Sequence, residues 1–181
     1  MTASTPTPAP LYRRLLAMLY DGLLLLAVLL ISSAIPLIFT GGEAIEGHNL
    51  LLTGYFLLIC FAFFGGFWTH GGQTLGMRVW RLQLVHDHAG ALDWFAALLR
   101  FLSGLPGWLV LILGLAVYFN PQLQLPGLLH WLQSLPHGSV ALIGLIWLTA
   151  DNWPNGWRER MTHTRVILLP KTSPLPTSTD N

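Results

Sequence analysis

Charge is scarce in this chain: Asp, Glu, Lys and Arg make up 9% of its 181 residues, while hydrophobic residues make up 53%. A soluble domain carries about 25% charged residues. So few charges cannot solvate the surface of a soluble protein of this length, which excludes that class. Basic blocks are lacking too. The net charge is +1, and no run of Lys and Arg offers a surface to nucleic acid. Cysteine is nearly absent: Cys60 is single and lies in an apolar run, which excludes an intramolecular disulfide and a cysteine metal site. It reads as a small residue facing lipid or a neighbouring helix. The length allows one domain with small appendages.

What is present is apolar sequence in long runs. The first, about residues 11–39, follows Arg13 and Arg14 and could open a signal peptide, with Ser32-Ser33-Ala34 a faint cleavage site. The uncharged run from Gly22 to Phe39 is longer than an ordinary signal core, and further apolar runs follow, so a retained span is favoured. The second span covers residues 50–68, contains no charge and has about the length needed for roughly 30 Å of hydrocarbon. The third covers residues 94–119 and carries only Arg100. From Phe101 to Ala150 there is no Asp, Glu, Lys or Arg, but Asn120, Gln122, Gln124, Gln133 and several prolines interrupt the run. A re-entrant or interfacial stretch at residues 125–135 is expected, then a short fourth span over 138–153. The expected fold is therefore an all-α transmembrane four-helix bundle. The tails, residues 1–10 and 170–181, are Thr/Pro/Ala- and Ser/Thr/Pro-rich and are expected to be disordered.

Basic residues test that count. Four spans place all nine (Arg13, Arg14, Arg78, Arg81, Arg100, Arg158, Arg160, Arg165 and Lys171) in or beside the N-terminal tail, the second loop or the C-terminal tail. The first loop holds only Glu43 and Glu46, and the third holds no basic residue. Positive charge collects on the cytoplasmic side, so both termini are expected in the cytoplasm of an inner or plasma membrane. In the second loop, residues 79–85 alternate loosely and lead into the turn-like His86-Asp87-His88-Ala89-Gly90. A second strand at Ala91–Leu92, a helix capped by Asp93 and a further strand at residues 164–169 follow, which predicts a small cytoplasmic hairpin or sheet as a cap.

Asp21 and Arg100 are the charges inside the membrane. Asp21 lies about 10 Å below Arg14 at 1.5 Å per residue, and a lone charge at mid-bilayer costs about 2.5–3.5 kcal/mol. Arg100 enters from the same side at comparable depth, so the two are expected to meet between helices. That pair either lines a polar pathway or only sets helix register. Pairing keeps Asp21 ionised, whereas a carboxyl alone in lipid can take up and carry a proton. His86-Asp87-His88 could share a strand face and hold a metal, but no third ligand is evident, and solvated turn residues are the better reading. His130 and His137 read as surface residues at the outer interface. Trp68, Trp94, Trp108, Trp131, Trp147, Trp153 and Trp157 mostly flank spans, as interfacial anchors do.

Tyr12-Arg13-Arg14-Leu15-Leu16-Ala17-Met18-Leu19-Tyr20-Asp21-Gly22 resembles the opening of the RDD family of membrane proteins, which is named for one arginine and two aspartates. Arg14 matches the arginine at the start of the first helix, and Asp21 the aspartate within it. Gly72-Gln73-Thr74-Leu75-Gly76-Met77-Arg78 resembles the family's loop after the second helix. Leu98-Leu99-Arg100 is similar to its next helix start, and Arg158–Val166 to its closing motif. The resemblance covers about residues 11–169. Glu159 stands where the second aspartate would be, keeping the charge at longer reach, and Met77 replaces a usual lysine.

The glycines around Gln73 and Thr74 invite a phosphate-loop reading, but no Gly-Lys-Ser/Thr is present. A tight turn at the membrane edge fits Gly71, Gly72 and Gly76 better. What the resemblance implies about activity is limited to a suggested role in transport. On that footing the chain is a small transporter or ion/proton exchanger, with Asp21 as the site, Arg100 and Arg14 as counter-charges and Glu159 as a gate or a partner for Arg14. The alternative is a non-enzymatic membrane adaptor or assembly factor whose charges are structural. No catalytic, metal or cofactor arrangement shows. The expected partners are the lipid bilayer and either further copies of the chain or other membrane proteins.

Overall fold

The computed structural model describes residues 7–43, 49–87, 92–123, 125, 127–136 and 138–170. The first apolar run forms α1 (Leu11–Ser32) and α2 (Ala34–Phe39), broken at Ser33. Pro36 supplies the reason: it has no N–H for the Ser32 carbonyl four residues earlier. An unpaired carbonyl is expensive in lipid, and the Tyr55 hydroxyl donates to this one at 3.0 Å. Tyr55 belongs to α3 (Leu50–Gly71), which begins where the Asn49 side chain accepts from Leu51 N and Leu52 N. α3 extends past the expected Trp68 and stops at Gly72, whose φ of 66° is left-handed. A Cβ there would also lie 2.4 Å from the Leu84 carbonyl oxygen, so glycine is required twice over.

The short α4 (Leu75–Val79) follows, then β1 (Leu82–His86). α5 occupies the expected Trp94–Phe119, capped by Asp93, which accepts from Ala96 N at 2.8 Å. A 3-10 helix, Gly127–Ser134, fills most of the expected re-entrant stretch. Next come α6 (Ser139–Asp151), α7 (Trp157–Met161) and β2 (Thr164–Leu168).

Three helical stretches, Leu11–Phe39, Leu50–Gly71 and Trp94–Phe119, are long and apolar enough to cross a membrane. The fourth expected span is realised only as α6, whose 13 residues rise about 20 Å against roughly 30 Å of hydrocarbon. α6 packs along α5, and two glycines set the approach. A Cβ at Gly114 would lie 2.2 Å from the Ala141 backbone nitrogen, and one at Gly144 2.5 Å from Leu111 backbone. Small residues allow this approach where no hydrophobic force draws helices together in lipid. α3 meets α5 through the Phe61 ring, 5.8 Å from Trp94 and 5.5 Å from Phe101 between centroids.

β1 and β2 pair antiparallel, with Leu84 opposite Val166. The strand expected over residues 79–85 starts later because Val79 completes α4. Its partner is the C-terminal strand, not Ala91–Leu92; Leu92 is outside any strand, and Ala91 lies outside the described residues. The N-terminal segment also joins the sheet. Ala9 N donates to Val166 O and Leu168 N to Thr7 O, both at 3.0 Å. Ala9 is fully buried, so residues 7–9 are not the unstructured tail expected; residues 1–6 and 171–181 lie outside the described residues.

The N-terminal segment, the connection from α3 to α5 and the C-terminal segment thus share one end of the molecule. The apolar core lies there too: Ala9, Ala17, Trp68, Leu82, Leu84, Leu92, Ala96, Ala97, Phe101 and Val166 form one cluster. The other flanks of the helices are open. Leu19, Leu23, Leu26 and Leu30 on α1 are exposed, as a lipid-facing surface requires.

Candidate functional site

The same end buries an unusual amount of charge. Arg14, Asp21, Arg100, Asp151, Arg158 and Glu159 are each at most 9% exposed. On α1 the buried residues are Arg14, Ala17 and Asp21, spaced three and four apart along one face.

Arg14 sits at the centre of the helix–sheet junction. Its Nη1 donates to Glu159 Oε1 at 2.6 Å, its Nε to Ala9 O at 3.0 Å and its Nη2 to Val166 O at 3.0 Å. The fork of a guanidinium suits three acceptors held in different directions. Glu159 answers with both oxygens: Oε1 also accepts from Val166 N at 3.0 Å, and Oε2 from Asn155 N at 2.8 Å. The partnership expected from the sequence between Arg14 and Glu159 is therefore present, and it ties α1 to α7 and β2.

Asp21 and Arg100 do not pair; among the described residues their partners lie elsewhere. Asp21 Oδ2 accepts from the Thr74 hydroxyl at 2.5 Å, and Oδ1 from Gly76 N at 2.8 Å. Thr74 is the N-cap of α4, and its hydroxyl also accepts from Met77 N at 3.2 Å. Two N–H groups that a helix start leaves open are thereby satisfied, one by Thr74 and one by Asp21. The partner of Asp21 is the Gly72–Arg78 turn and not Arg100.

Gly76 is a glycine because of closeness. A Cβ would lie 2.3 Å from Ala17 O and 2.9 Å from the Asp21 carboxyl. Gly76→Ala is expected to cost about 1–3 kcal/mol by overpacking, read as a lowered unfolding midpoint in detergent; an unchanged midpoint would sink this account. The rest of the turn is simpler. Gln73 Nε2 donates to Leu82 O at 2.7 Å, joining the turn to β1, and Arg78 is exposed. Gly71 and Gly76 are both helical, so Gly72 alone of the turn's glycines uses positive φ.

Arg100 instead donates from Nη1 to the Thr164 hydroxyl at 2.7 Å. Its guanidinium carbon lies 5.7 Å from the centre of the Trp68 ring, a cation–π arrangement. Trp68 is therefore buried at the charge cluster and is not the interfacial anchor expected, whereas Trp94, Trp131, Trp147, Trp153 and Trp157 are exposed. Thr164 passes its hydroxyl contact to Thr162 at 2.7 Å, and Thr162 donates to Arg158 O at 2.8 Å.

Arg158 and Asp151 form a second buried pair, 2.9 Å apart, which the sequence reading missed. Arg158 Nη2 also donates to Arg100 O at 2.9 Å. Burial lowers the Arg158 guanidinium from its ordinary range, and the Asp151 carboxylate beside it opposes that. A usable signal existed: Asp151 is the first charge after the uncharged run 101–150, and Arg158 follows seven residues later.

A cavity of about 90 Å³ lies among these groups, lined by Asp21, Trp68, Thr74, Arg100, Asn152 and Arg158 together with apolar residues of α1, α3 and α5. Asp21 and Arg100 thus face one space without touching. At the sheet, Asp87 pairs with Arg165 at 2.7 Å across a solvent-exposed edge. His130 is exposed. His88 and His137 lie outside the described residues.

No curated protein and no solved structure matches the chain. Residues 8–158 match the RDD family. That stretch holds Arg14, Asp21, the Gly72–Arg78 turn, Arg100 and both members of the Asp151–Arg158 pair, while Glu159 and β2 fall just beyond it. The match takes in most of the sequence and, among the described residues, the three helical stretches long and apolar enough to cross a bilayer, and on that ground the chain belongs to the RDD family of membrane proteins.

Proposed function

We propose that this protein is a small transporter of protons or ions in a cell inner or plasma membrane, with Asp21 as the exchange site. The observation that carries the reading is the cavity between Asp21 and Arg100. A largely apolar chamber that holds a carboxyl and a guanidinium in its wall is costly unless it is used. Arg14, Glu159, Asp151 and Arg158 hold the chamber's frame, and Asp21 is the acid that faces its interior. No step of covalent chemistry is needed, so the protein is not an enzyme in this reading.

The orientation belongs to the same proposal. Basic residues collect with the N-terminal segment, the α3–α5 connection and the C-terminal segment, which supports that end as cytoplasmic. Strand pairing brings those three segments to one end, which supports an even number of crossings and α6 as the fourth. The shortfall in α6 length is consistent with local thinning or with a further copy of the chain beside it.

The test is proton and cation flux in proteoliposomes. The parent protein should conduct, and Asp21→Asn should abolish the flux while keeping an acceptor oxygen for Thr74 or Gly76. A folded parent without flux, or Asp21→Asn with flux intact, would overturn the reading. The Arg14–Glu159 and Asp151–Arg158 pairs favour a second reading, a non-enzymatic membrane adaptor, because each charge already has its counter-charge and Arg14–Glu159 ties the N-terminal segment to the C-terminal one. An inactive parent would favour it.

A further inference from the structure

The groups lining the cavity are unevenly satisfied. Among the described residues, buried Trp68 Nε1, Arg100 Nε and Arg158 Nε have no hydrogen-bond partner. All three residues are among those that line this cavity, and all three are at least nine-tenths buried. Each unpaired group is a donor. Asp21 on the same wall is engaged: its two carboxylate oxygens accept hydrogen bonds from Thr74 and Gly76. Buried donors without partners are uncommon in folded proteins.

The charges point the same way. Arg14 has Glu159, and Arg158 has Asp151. Arg100 has no carboxylate within ion-pair distance among the described residues; its contacts are a neutral hydroxyl and an indole ring. A buried cation without a carboxylate in contact is expensive. A guest that accepts from three N–H groups and carries one negative charge would relieve both deficits. The volume of about 90 Å³ has room for more than one water-sized guest.

We infer that this cavity is a binding site for a small monovalent anion of about chloride size, held by Arg100, Trp68 and Arg158. The site lies against Asp21, so the anion and the ionised Asp21 carboxylate disfavour each other. It shares its space with the proposed exchange site but does not depend on Asp21 carrying a proton. Binding and flux can therefore fail separately.

The experiment is the excess line width of the chloride NMR signal over the purified full chain in detergent. Chloride is titrated against gluconate at constant ionic strength. The parent protein should broaden the line saturably, and bromide should compete. Arg100→Gln should weaken chloride by about ten-fold or more, the loss of a charge-assisted bond. Trp68→Phe keeps an aromatic ring beside Arg100 but removes the indole N–H, and should weaken chloride several-fold. Asp21→Asn should bind it more tightly. Where Arg100→Gln does not fold, the Trp68→Phe comparison decides. The inference is overturned by a folded parent with no saturable broadening, which leaves waters as the cavity's contents. It is overturned equally by Trp68→Phe, or a folded Arg100→Gln, that binds chloride as the parent does. Saturable binding without any flux would keep the anion site and remove the transporter reading.

Discussion

Arg14→Met is expected to lower the unfolding free energy by about 3–5 kcal/mol, the cost of leaving one member of a buried pair alone. The side chains of Arg14 and Glu159 are only 4% and 5% exposed. Without Arg14, the Glu159 carboxylate keeps two backbone N–H groups but loses its counter-charge. The carbonyls of Ala9 and Val166 lose a donor at the same time. Three chain segments meet at this one guanidinium, so the damage should spread beyond a single contact.

Chemical unfolding in detergent measures the loss, and protease cleavage near β2 should appear with it. Arg14→Lys should fall between, because an ammonium presents no planar fork. Arg14→Met with Glu159→Leu should recover part of the loss, since apolar replacement removes both charges together. Full recovery is not expected, because Glu159 also holds Asn155 N and Val166 N. A single-change cost under about 1 kcal/mol, the range of exposed ion pairs, would show that the pair is solvated and the account wrong.

Gly114→Leu should be the next most damaging change, at about 3 kcal/mol or more, the upper part of the overpacking range. Even a Cβ at that position meets Ala141 backbone at 2.2 Å and 2.5 Å. Backbone cannot rotate away as a side chain can, so α6 must move off α5. The loosened α6 would carry Asp151 away from Arg158 and Asn152 from the cavity. Unfolding should therefore occur at lower denaturant, together with cleavage in the connection between α5 and α6. Gly127→Leu is the control, because a Cβ there meets nothing within 4 Å. Equal stability of the two variants would contradict the packing described.

Much of the membrane architecture could be read directly. Scarce charge and long apolar runs are properties of composition, and they located α1, α3 and α5. Asp93 marked the start of α5 because capping is a local interaction between a side chain and the next few N–H groups. The break at Ser33 was also local, since Pro36 withdraws a single N–H, but the first run was read as one span. α6 was harder because thirteen apolar residues fall below the length that marks a crossing.

Four residues of the charge cluster and the Arg14–Glu159 partnership were legible, but the partners of Asp21 and Arg100 and the Asp151–Arg158 pair were not. Intramembrane charges announce themselves by their cost, which is why Asp21 and Arg100 stood out; Arg14 and Glu159 were marked by the resemblance to the family's motifs. Pairing depends on depth, rotation and reach across helices, and none of these is recorded in spacing along the chain. Asp21 and Arg100 were matched by depth and opposite sign. The fold gave Asp21 to Thr74 and Gly76, because α4 turns its open N–H groups onto α1. It left Arg100 beside Trp68 and Thr164.

Composition alone, then, made this a membrane protein, since a chain with 9% charged residues has too little to offer water. Basic-residue placement proposed which ends lie together. Only the tertiary structure brought Thr7–Ala9, β1 and β2 into one sheet, found the Asp151–Arg158 pair, and set Asp21 and Arg100 across a cavity. Those outcomes rest on contacts between residues as far apart in the chain as Thr7 and Leu168. Such contacts form only when helix packing has fixed which faces meet.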